Sequence, residues 1–296
     1  MTSTSTGKRY DVRRIGQEWS LARSSFYASR KRACSPSLTA PRRRGPKPAI
    51  DDECLTKAIR ADLAASPFVG EGHRKVWARL RAAGTRTSKA RVLRLMRDAK
   101  LLAPYRAGRV LGPSAHDGTI ITTRPNEMWG TDATTVLTTR EGSATVFIAV
   151  DHCTAECVGI HAAKRGTRFE ALEPLRQGIR THFGGFGPDV AAGLKVRHDH
   201  GSQFMSEVFQ DEVRFLGALS SPAFVRAPEG NGCSERFIRT LKEHLLWVRH
   251  FETVEELRRA LVAWAAVYNE AWLIGRHGHR SPKARRNDFI ASQLAA

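Results

Sequence analysis

The change of pattern near residue 120 constrains the fold more than any other feature of the sequence. Before it, apolar residues recur at helical spacing among many basic ones. After it come three segments, 128–138, 144–150 and 155–161, which are rich in Thr, Val, Ile and Phe. Such segments are typical of strands, and Glu141 with Gly142 forms a turn between the first two. A turn this short joins antiparallel neighbours, so the sequence predicts a three-stranded meander.

Helices and short strands alternate beyond the meander. The predicted elements are a helix over 168–183, a strand over Leu194–His198, a helix over Ser206–Leu216, a strand over Leu219–Val225, a helix from Asn231 to about Val248 and an amphipathic helix over Val254–Trp272. The order β-β-β-α-β-α-β-α is that of the RNase H-like fold. The predicted class is therefore α/β, with a mixed five-stranded sheet and flanking helices.

Basic charge is concentrated in the first part of the chain. Residues 1–120 hold 26 Lys and Arg against 9 Asp and Glu, whereas residues 121–296 hold 22 against 20. A cationic region binds nucleic acid because neutralised phosphates release their counterions. Basic ribosomal-type proteins and membrane-surface segments have similar totals, so charge alone favours DNA or RNA without deciding between these classes.

The charged part contains a predicted DNA-binding helix. A helix with an apolar face ends at Gly84, and Ser88 caps the next helix, whose other faces carry basic residues: Lys89, Arg91, Arg94 and Arg97. This pattern is typical of a helix-turn-helix, in which the second helix enters the major groove. A solvated basic helix in a small bundle is the alternative.

Proline-rich stretches and changes of composition divide the chain into six predicted regions. These are a basic helical segment (1–34), a Pro- and Arg-rich linker (35–48), the helix-turn-helix-like module (49–103), a second linker (104–120), the RNase H-like core (121–250) and a C-terminal helix and tail (251–296).

Cysteine usage and hydropathy indicate a cytoplasmic, nucleoid-associated protein with free thiols. The five cysteines are irregularly spaced, and the N-terminus has no apolar signal segment. No apolar run approaches the roughly 18 residues of a membrane helix, so no membrane partner is predicted. His152, Cys153, Cys157 and His161 lack the paired spacing of zinc ligands, so no zinc site is predicted there.

Three acids occupy positions that suit metal-assisted phosphodiester chemistry. Asp132 lies inside the first strand, Asp199 directly follows an isolated strand, and Glu235 lies on the helix after the last strand. Two-metal catalysis needs carboxylate ligands that converge, and a mixed sheet can bring these three together. The interval between Asp199 and Glu235 alone carries little weight, because the chain has 12 Asp and 17 Glu. Three unrelated surface acids remain the alternative.

Two cations share the helical face of Glu235. Arg239 follows it by four residues and Lys242 by seven, so both would lie along a phosphate backbone that reaches the acids. A solvated surface charge is the alternative for Arg239.

The motifs around these residues resemble the signature blocks of retroviral-integrase-type DDE transposases, in particular the second-reading-frame (orfB) product of insertion sequences of the group numbered three. The blocks are Trp129-x-x-Asp132-x-Thr134, Asp199-His200-Gly201-Ser202-Gln203-Phe204 and Asn231-Gly232-x-x-Glu235-Arg236-Phe237-x-x-Thr240-Leu241-Lys242. Residues 72–97 similarly resemble the helix-turn-helix module that precedes the integrase catalytic core in that group. The chain departs from the group's usual pattern after Asn269, where Ala271–Gly275 stands in place of Arg-Pro-His.

The resemblance implies cleavage and strand transfer of an insertion sequence, with two Mg²⁺ (or Mn²⁺) ions per active site. It makes Asp132, Asp199 and Glu235 metal ligands and Lys242 a contact to the element's end. It implies supporting positions within the blocks: Trp129, Thr134, His200, Gly201 and Asn231. The expected partners are the element ends, target DNA, further copies of the chain on DNA, and the upstream-frame protein. The chain has no heptad zipper, as expected of an unfused product.

Two rival functions remain open on sequence alone. An RNase H-like DNA nuclease without strand transfer would share the acids without needing Lys242 or a sequence-reading module. A domesticated DNA-binding regulator would need none of the three acids.

Overall fold

The computed structural model describes residues 2–34, 49–103, 120–223 and 231–295. The chain forms two compact units, Met1–Ala49 and Ile50–Ala296. The first contains two helices, α1 (Val12–Glu18) and α2 (Arg23–Cys34), which agree with the one or two short helices expected there. The predicted linker over 35–48 and residues 104–119 of the second linker lie outside the described residues.

The second unit begins with three helices, α3 (Asp52–Ala65), α4 (His73–Ala82) and α5 (Lys89–Asp98). As the sequence predicts, Ser88 caps α5 by accepting a hydrogen bond from the backbone N–H of Arg91. The apolar faces of the helices meet in a small core of fully buried residues: Leu55, Ile59, Val76, Val92 and Met96. These helices correspond to the predicted helix-turn-helix-like module.

The described residues also form a mixed five-stranded sheet in the order β3-β2-β1-β4-β5. Its strands are β1 (Met128–Thr138), β2 (Gly142–Asp151), β3 (Cys157–Ala163), β4 (Lys195–His198) and β5 (Leu219–Pro222). The first three pair antiparallel, whereas β4 runs parallel to both β1 and β5. The predicted fold class is confirmed, and β1 is the central strand.

Helices cover both faces of the sheet. On one face lie α6 (Arg168–His182), α7 (Ser202–Met205) and α8 (Glu207–Phe215), around a core that includes Trp129 and Phe147. On the other lie α9 (Gly232–Leu241), the π-helical turn Lys242–Leu246 and α10 (Val254–Ala271), around a core that includes Ile148 and Phe237. Successive residues of a strand point to opposite faces, so β1 and β2 supply both cores.

Several element boundaries differ from the prediction. Strand β3 begins at Cys157 because Ala155 lies in a turn at φ 59°, where the Asp151 side chain accepts the N–H of Thr154 at 2.7 Å. The short α7 and the last helix, α11 (Pro282–Leu294), were not predicted. The end of the predicted strand at Val225 lies outside the described residues.

The helix-turn-helix-like module packs directly on the helices that cover one face of the sheet. Phe68, in the loop after α3, is buried in the same core as α10, and its ring lies 4.8 Å from that of Trp272. The ammonium group of Lys75, on α4, lies over the ring of Trp272. Apolar burial and a cation–π contact therefore hold the module against the core.

None of the helices in the described ranges is long and apolar enough to cross a membrane.

Candidate active site

The sheet register brings Asp132 and Asp199 to neighbouring positions. Gly130 on β1 pairs with Arg197 on the parallel strand β4. Asp132 and Asp199 each stand two residues beyond that pair. Alternate residues share a face, and neighbouring strands lie about 4.8 Å apart, so both acids occupy the same edge of the same sheet face.

Helix α9 adds Glu235 to this face. Its N-terminus is tied to β1 because the side-chain amide of Asn231 donates to the backbone oxygen of Thr131 at 3.1 Å, one residue before Asp132. Ser234 is completely buried and packs against Gly130. Glu235, the next residue, is exposed in the first turn of the helix. It lines an open groove of about 570 Å³ together with Asp132.

The electrostatics of Asp132 reflect this crowding of acids. The pKa of Asp132 is raised to about 6, mainly by burial and also by repulsion from Asp199 and Glu235, while the Ala133 N–H and Lys242 oppose the shift. Burial also raises the pKa of Glu235. These effects show that Asp132 feels the charges of the other three side chains within one region of the structure.

The carboxylates are turned towards their own backbone. Asp132 accepts a hydrogen bond from the N–H of Ala133 at 2.8 Å, and Asp199 accepts one from the N–H of Gly201 at 2.9 Å. Within the described ranges, no three His, Cys, Asp or Glu side chains stand close enough together to hold one metal ion. Rotation about the side-chain bonds would redirect these oxygens, because each is held by one local hydrogen bond.

The donor set still fits a hard divalent cation. All three groups are carboxylates, which Mg²⁺ and Mn²⁺ prefer. Their mutual repulsion, visible in the raised pKa of Asp132, would be relieved by a cation. The nearby Arg239 does not neutralise them, because it pairs with Glu243 at 2.9 Å.

The supporting positions predicted from the sequence lie around the acids. The imidazole of His200 contacts the backbone oxygen of Ala223 at 2.7 Å, which anchors the loop after Asp199 to the end of β5. A side chain at Gly201 would meet Asp199 Oδ1 at 2.9 Å. Trp129 is fully buried on the opposite face of β1, whereas Thr134 lines the groove beside Asp132.

The basic residues predicted to contact DNA fall into two groups. Lys242 and Arg239 line the groove, as the helical spacing predicts. In the helix-turn-helix-like module, Arg91 and Arg94 both pair with Asp52 at 2.7 Å, and Lys89 lies 4.4 Å from the ring centroid of Trp77. Arg97 is exposed in the last turn of α5. The DNA contacts of all these residues stay predictions.

Sequence reasoning missed a buried polar cluster beneath the acids. His152 Nε2, Asn231 Oδ1 and Ser234 Oγ are buried without a hydrogen-bond partner, and all three lie next to the Cα of Gly130. A side chain at Gly130 would meet His152 Nε2 at 2.7 Å and Asn231 Oδ1 at 2.9 Å. The only signal for this cluster was a glycine inside a predicted strand, which indicates close approach by another group.

The mixed five-stranded sheet has the order of an RNase H-like fold, and comparisons with known families identify an integrase core. Two models described as integrase core domain match residues 122–228 and 221–282, and a model described as HTH-like domain matches residues 50–109. The InsD transposase of insertion element IS2A/D/F/H/I/K from Escherichia coli is 25% identical over 218 residues, which are 72% of each chain. The chain is therefore a homologue of these transposases, with an integrase core preceded by an HTH-like domain, and a polynucleotidyl transferase of the transposase type.

Solved integrases are similar in structure. A chain of the simian T-cell lymphotropic virus intasome in complex with PP2A regulatory subunit B56 gamma has a TM-score of 0.47 at 19% identity, covering 71% of this chain and 73% of that one. The HTLV-2 integrase catalytic core domain in complex with magnesium has a TM-score of 0.42 at 17% identity, covering 55% of this chain and 97% of that one. Proteins of the integrase and transposase family generally use divalent metal ions.

Proposed function

We propose that this protein cuts DNA at the ends of an insertion sequence and joins those ends to target DNA, using Asp132, Asp199 and Glu235. The observation that carries the proposal is the position of the three acids on β1, directly after β4 and on α9 of an integrase core, where Asp132 and Glu235 line one groove. Each acid comes from a different segment of the chain. The three can therefore lie near one another only when the strands and α9 are packed together.

The chain's own residues have distinct tasks in this proposal. Asp132 on the central strand, Asp199 and Glu235 would together hold two Mg²⁺ or Mn²⁺ ions. When bound, such ions activate a water or 3′-hydroxyl nucleophile and stabilise the leaving oxygen of an in-line displacement. The repulsion that raises the pKa of Asp132 favours uptake of these cations.

Cations beside the acids would orient the DNA. Lys242 lines the groove two turns from Glu235 and lowers the pKa of Asp132, so its charge reaches the same region. We assign it to a phosphate of the element's end, where a lysine binds as a point charge. Arg239 would join it only after leaving Glu243.

The assembly we propose contains several copies of the chain on DNA, within the bacterial nucleoid, with the upstream-frame protein as a further partner. Light scattering after size exclusion, with and without element-end DNA, tests the first part. A mass that corresponds to a single chain on each DNA end would contradict it.

The central experiment incubates the purified protein with candidate element-end DNA and Mg²⁺ or Mn²⁺, and scores 3′-end cleavage and joining to a second DNA. We expect Asp132→Asn, Asp199→Asn and Glu235→Gln each to lower both activities by roughly 10³–10⁵-fold, the scale of losing a charge-stabilising group in phosphoryl transfer. DNA binding should be retained.

The outcomes separate the rival functions. Full cleavage by any of the three variants would refute the assignment of that residue. Cleavage without joining in the wild-type protein would indicate an RNase H-like nuclease. Specific DNA binding with neither activity would indicate a domesticated regulator.

A further inference from the structure

Trp247 is an exposed aromatic residue at the mouth of the carboxylate groove. Its side chain is 68% exposed, whereas the two residues before it, Leu245 and Leu246, are buried in the core of the sheet. A large apolar ring with this exposure forgoes hydrophobic stabilisation that burial would supply. No contact within the fold described above requires the ring to be there.

The π-helical turn directs Trp247 towards the acids. The N–H of Trp247 donates to the backbone oxygen of Lys242 at 2.9 Å, which closes a turn over five residues instead of four. In a regular α-helix, the face that carries Glu235 and Lys242 would reach Leu246 next. The additional residue in the turn sends Leu246 into the core and brings Trp247 to the groove. π-Helical turns are rare and frequently occur at functional sites.

The groove surrounds this ring with the chemistry of a nucleic-acid site. Trp247 lines it together with Asp132, Glu235, Arg239 and Lys242. Lys242 offers a positive charge for a phosphate, and the indole offers a flat π surface for a base. Proteins that hold single strands combine these two features, because every base has a face that can stack.

We propose that Trp247 is a stacking platform for an unpaired base of the DNA strand whose phosphate lies at the three carboxylates. The inference rests on the proposed function, since it assumes that this groove receives a DNA strand. Stacking would hold the strand end open beside the acids and would depend little on which base is present. Trp247 therefore positions DNA and takes no part in the bond-forming step.

The test uses a forked DNA duplex whose unpaired arm carries 2-aminopurine, a base analogue whose fluorescence changes on stacking. We expect the wild-type protein and Trp247→Phe to quench the arm. Trp247→Leu keeps the apolar bulk but has no π face, so it should lose the quenching and bind the fork roughly 5- to 150-fold more weakly. Binding of a fully paired duplex should change little. Leu137→Ala, which removes another exposed apolar side chain (77% exposed), is the control and should behave as wild type.

Several results would overturn the proposal. Equal quenching and affinity for Trp247→Leu and the wild-type protein would remove the stacking role. A change in oligomeric state, with unchanged DNA binding, would assign the ring to contact with a second copy of the chain. A wild-type protein that quenches the fork but never cleaves with Mg²⁺ or Mn²⁺ would refute the proposed function and keep the stacking site.

Discussion

The carboxylate groove and the helix-turn-helix-like module differ in how their charged side chains are paired. In the groove, Asp132 has a pKa raised to about 6 by burial and by neighbouring acids, and Arg239, which lines the groove, pairs with Glu243. In the module, Asp52 on α3 accepts both Arg91 and Arg94 on α5. Arg79 on α4 similarly pairs with Asp62 on α3.

This difference indicates which charged side chains are available to bind a phosphate or a cation. Internal pairs already satisfy one another, and a phosphate could recruit Arg91 or Arg94 only by replacing Asp52. Uncompensated like charges in a partly buried site stay costly until a cation arrives. The acids of the groove therefore favour the binding of a cation. In the module, by contrast, much of the positive charge forms ion pairs between its own helices.

The largest effect that would test this arrangement comes from Gly130→Ala. The new methyl group would meet His152 Nε2 at 2.7 Å and Asn231 Oδ1 at 2.9 Å. We expect a loss of about 1–3 kcal/mol in the free energy of unfolding. A displaced α9 should also lower strand cleavage by roughly 10²-fold, as for an ångström-scale misplacement. Urea denaturation and the cleavage assay measure these effects.

Gly187→Ala is the matched control for this prediction, because nothing lies within 4 Å of a methyl group there. Wild-type cleavage by Gly130→Ala would show that the contact between β1 and α9 does not position Glu235.

The next effect concerns the acid cluster itself. Folding raises the pKa of Asp132 from 3.8 to about 6, so the associated stability is present below about pH 4 and is lost as pH rises through 6. Asp132→Asn stays neutral, so in metal-free buffer at pH 8 its free energy of unfolding should be higher than that of the wild-type protein by about 3 kcal/mol, the equivalent of the pKa difference between 3.8 and about 6. The difference should vanish near pH 4.

Divalent cations at pH 8 should make the wild-type protein more stable than Asp132→Asn. Mg²⁺ or Mn²⁺ should stabilise the wild-type protein and leave Asp132→Asn nearly unchanged, since a ligand stabilises the state that binds it. Equal stabilities at pH 8 without metal would contradict the picture of strained, uncompensated acids.

A smaller effect should follow from Asp52→Ala in the module. Removing this carboxylate leaves Arg91 hydrogen-bonded to the backbone oxygen of Ile50 and Arg94 near Asp98. The substitution should lower the stability of the module by about 0.5–1 kcal/mol, because Asp52 is 45% exposed. Glu53→Ala, whose pair with Lys57 is more exposed, is the control. Thermal unfolding measures stability, and a salt titration of DNA binding measures the freed charge. Tighter DNA binding by Asp52→Ala would mean that the two arginines can serve DNA once released.

The smallest effect should come from residues of α5 outside these pairs. Arg97→Gln or Lys89→Gln should weaken DNA binding a few-fold and reduce the slope of log K against log salt by about 0.9 for each phosphate that the protein no longer neutralises. Filter binding at several salt concentrations measures this slope. Arg259→Gln on α10, where Arg259 pairs with Glu255 at 3.0 Å, is the control. An unchanged slope for Arg97→Gln would remove it from the DNA surface.

Much of the core could be predicted from sequence because its signals are local and repeated. Alternation over 128–138 predicted the bounds of β1, and the apolar spacing of 168–183 predicted all of α6 and one residue beyond its end. The placement of Asp132 on the central strand followed from the order of elements. Its closeness to Asp199 then follows from the parallel pairing of β1 and β4.

Other features depend on contacts that no local pattern encodes. The pairing of Arg94 with Asp52 joins residues 42 positions apart, so an outer-face arginine could not be told from a DNA contact. The π-helical turn at Lys242–Leu246 places Leu245 and Leu246 in the core and Trp247 in the groove. Regular helical spacing does not predict that face for Trp247. The cluster at Gly130 collects His152 and Ser234 from distant segments.

The seating of Phe68 and Lys75 against Trp272 has a consequence for where the DNA is cut. The loop after α3 and helix α4 pack against the helices of the integrase core. These contacts therefore fix the position of α5 relative to the carboxylate groove. A duplex read by α5 would then present its scissile phosphate at a distance set by packed side chains. The packed contacts would thus set the distance between the recognition helix and the cleaved phosphate. A smaller side chain in place of Phe68 should make the cleavage position less uniform before it abolishes cleavage.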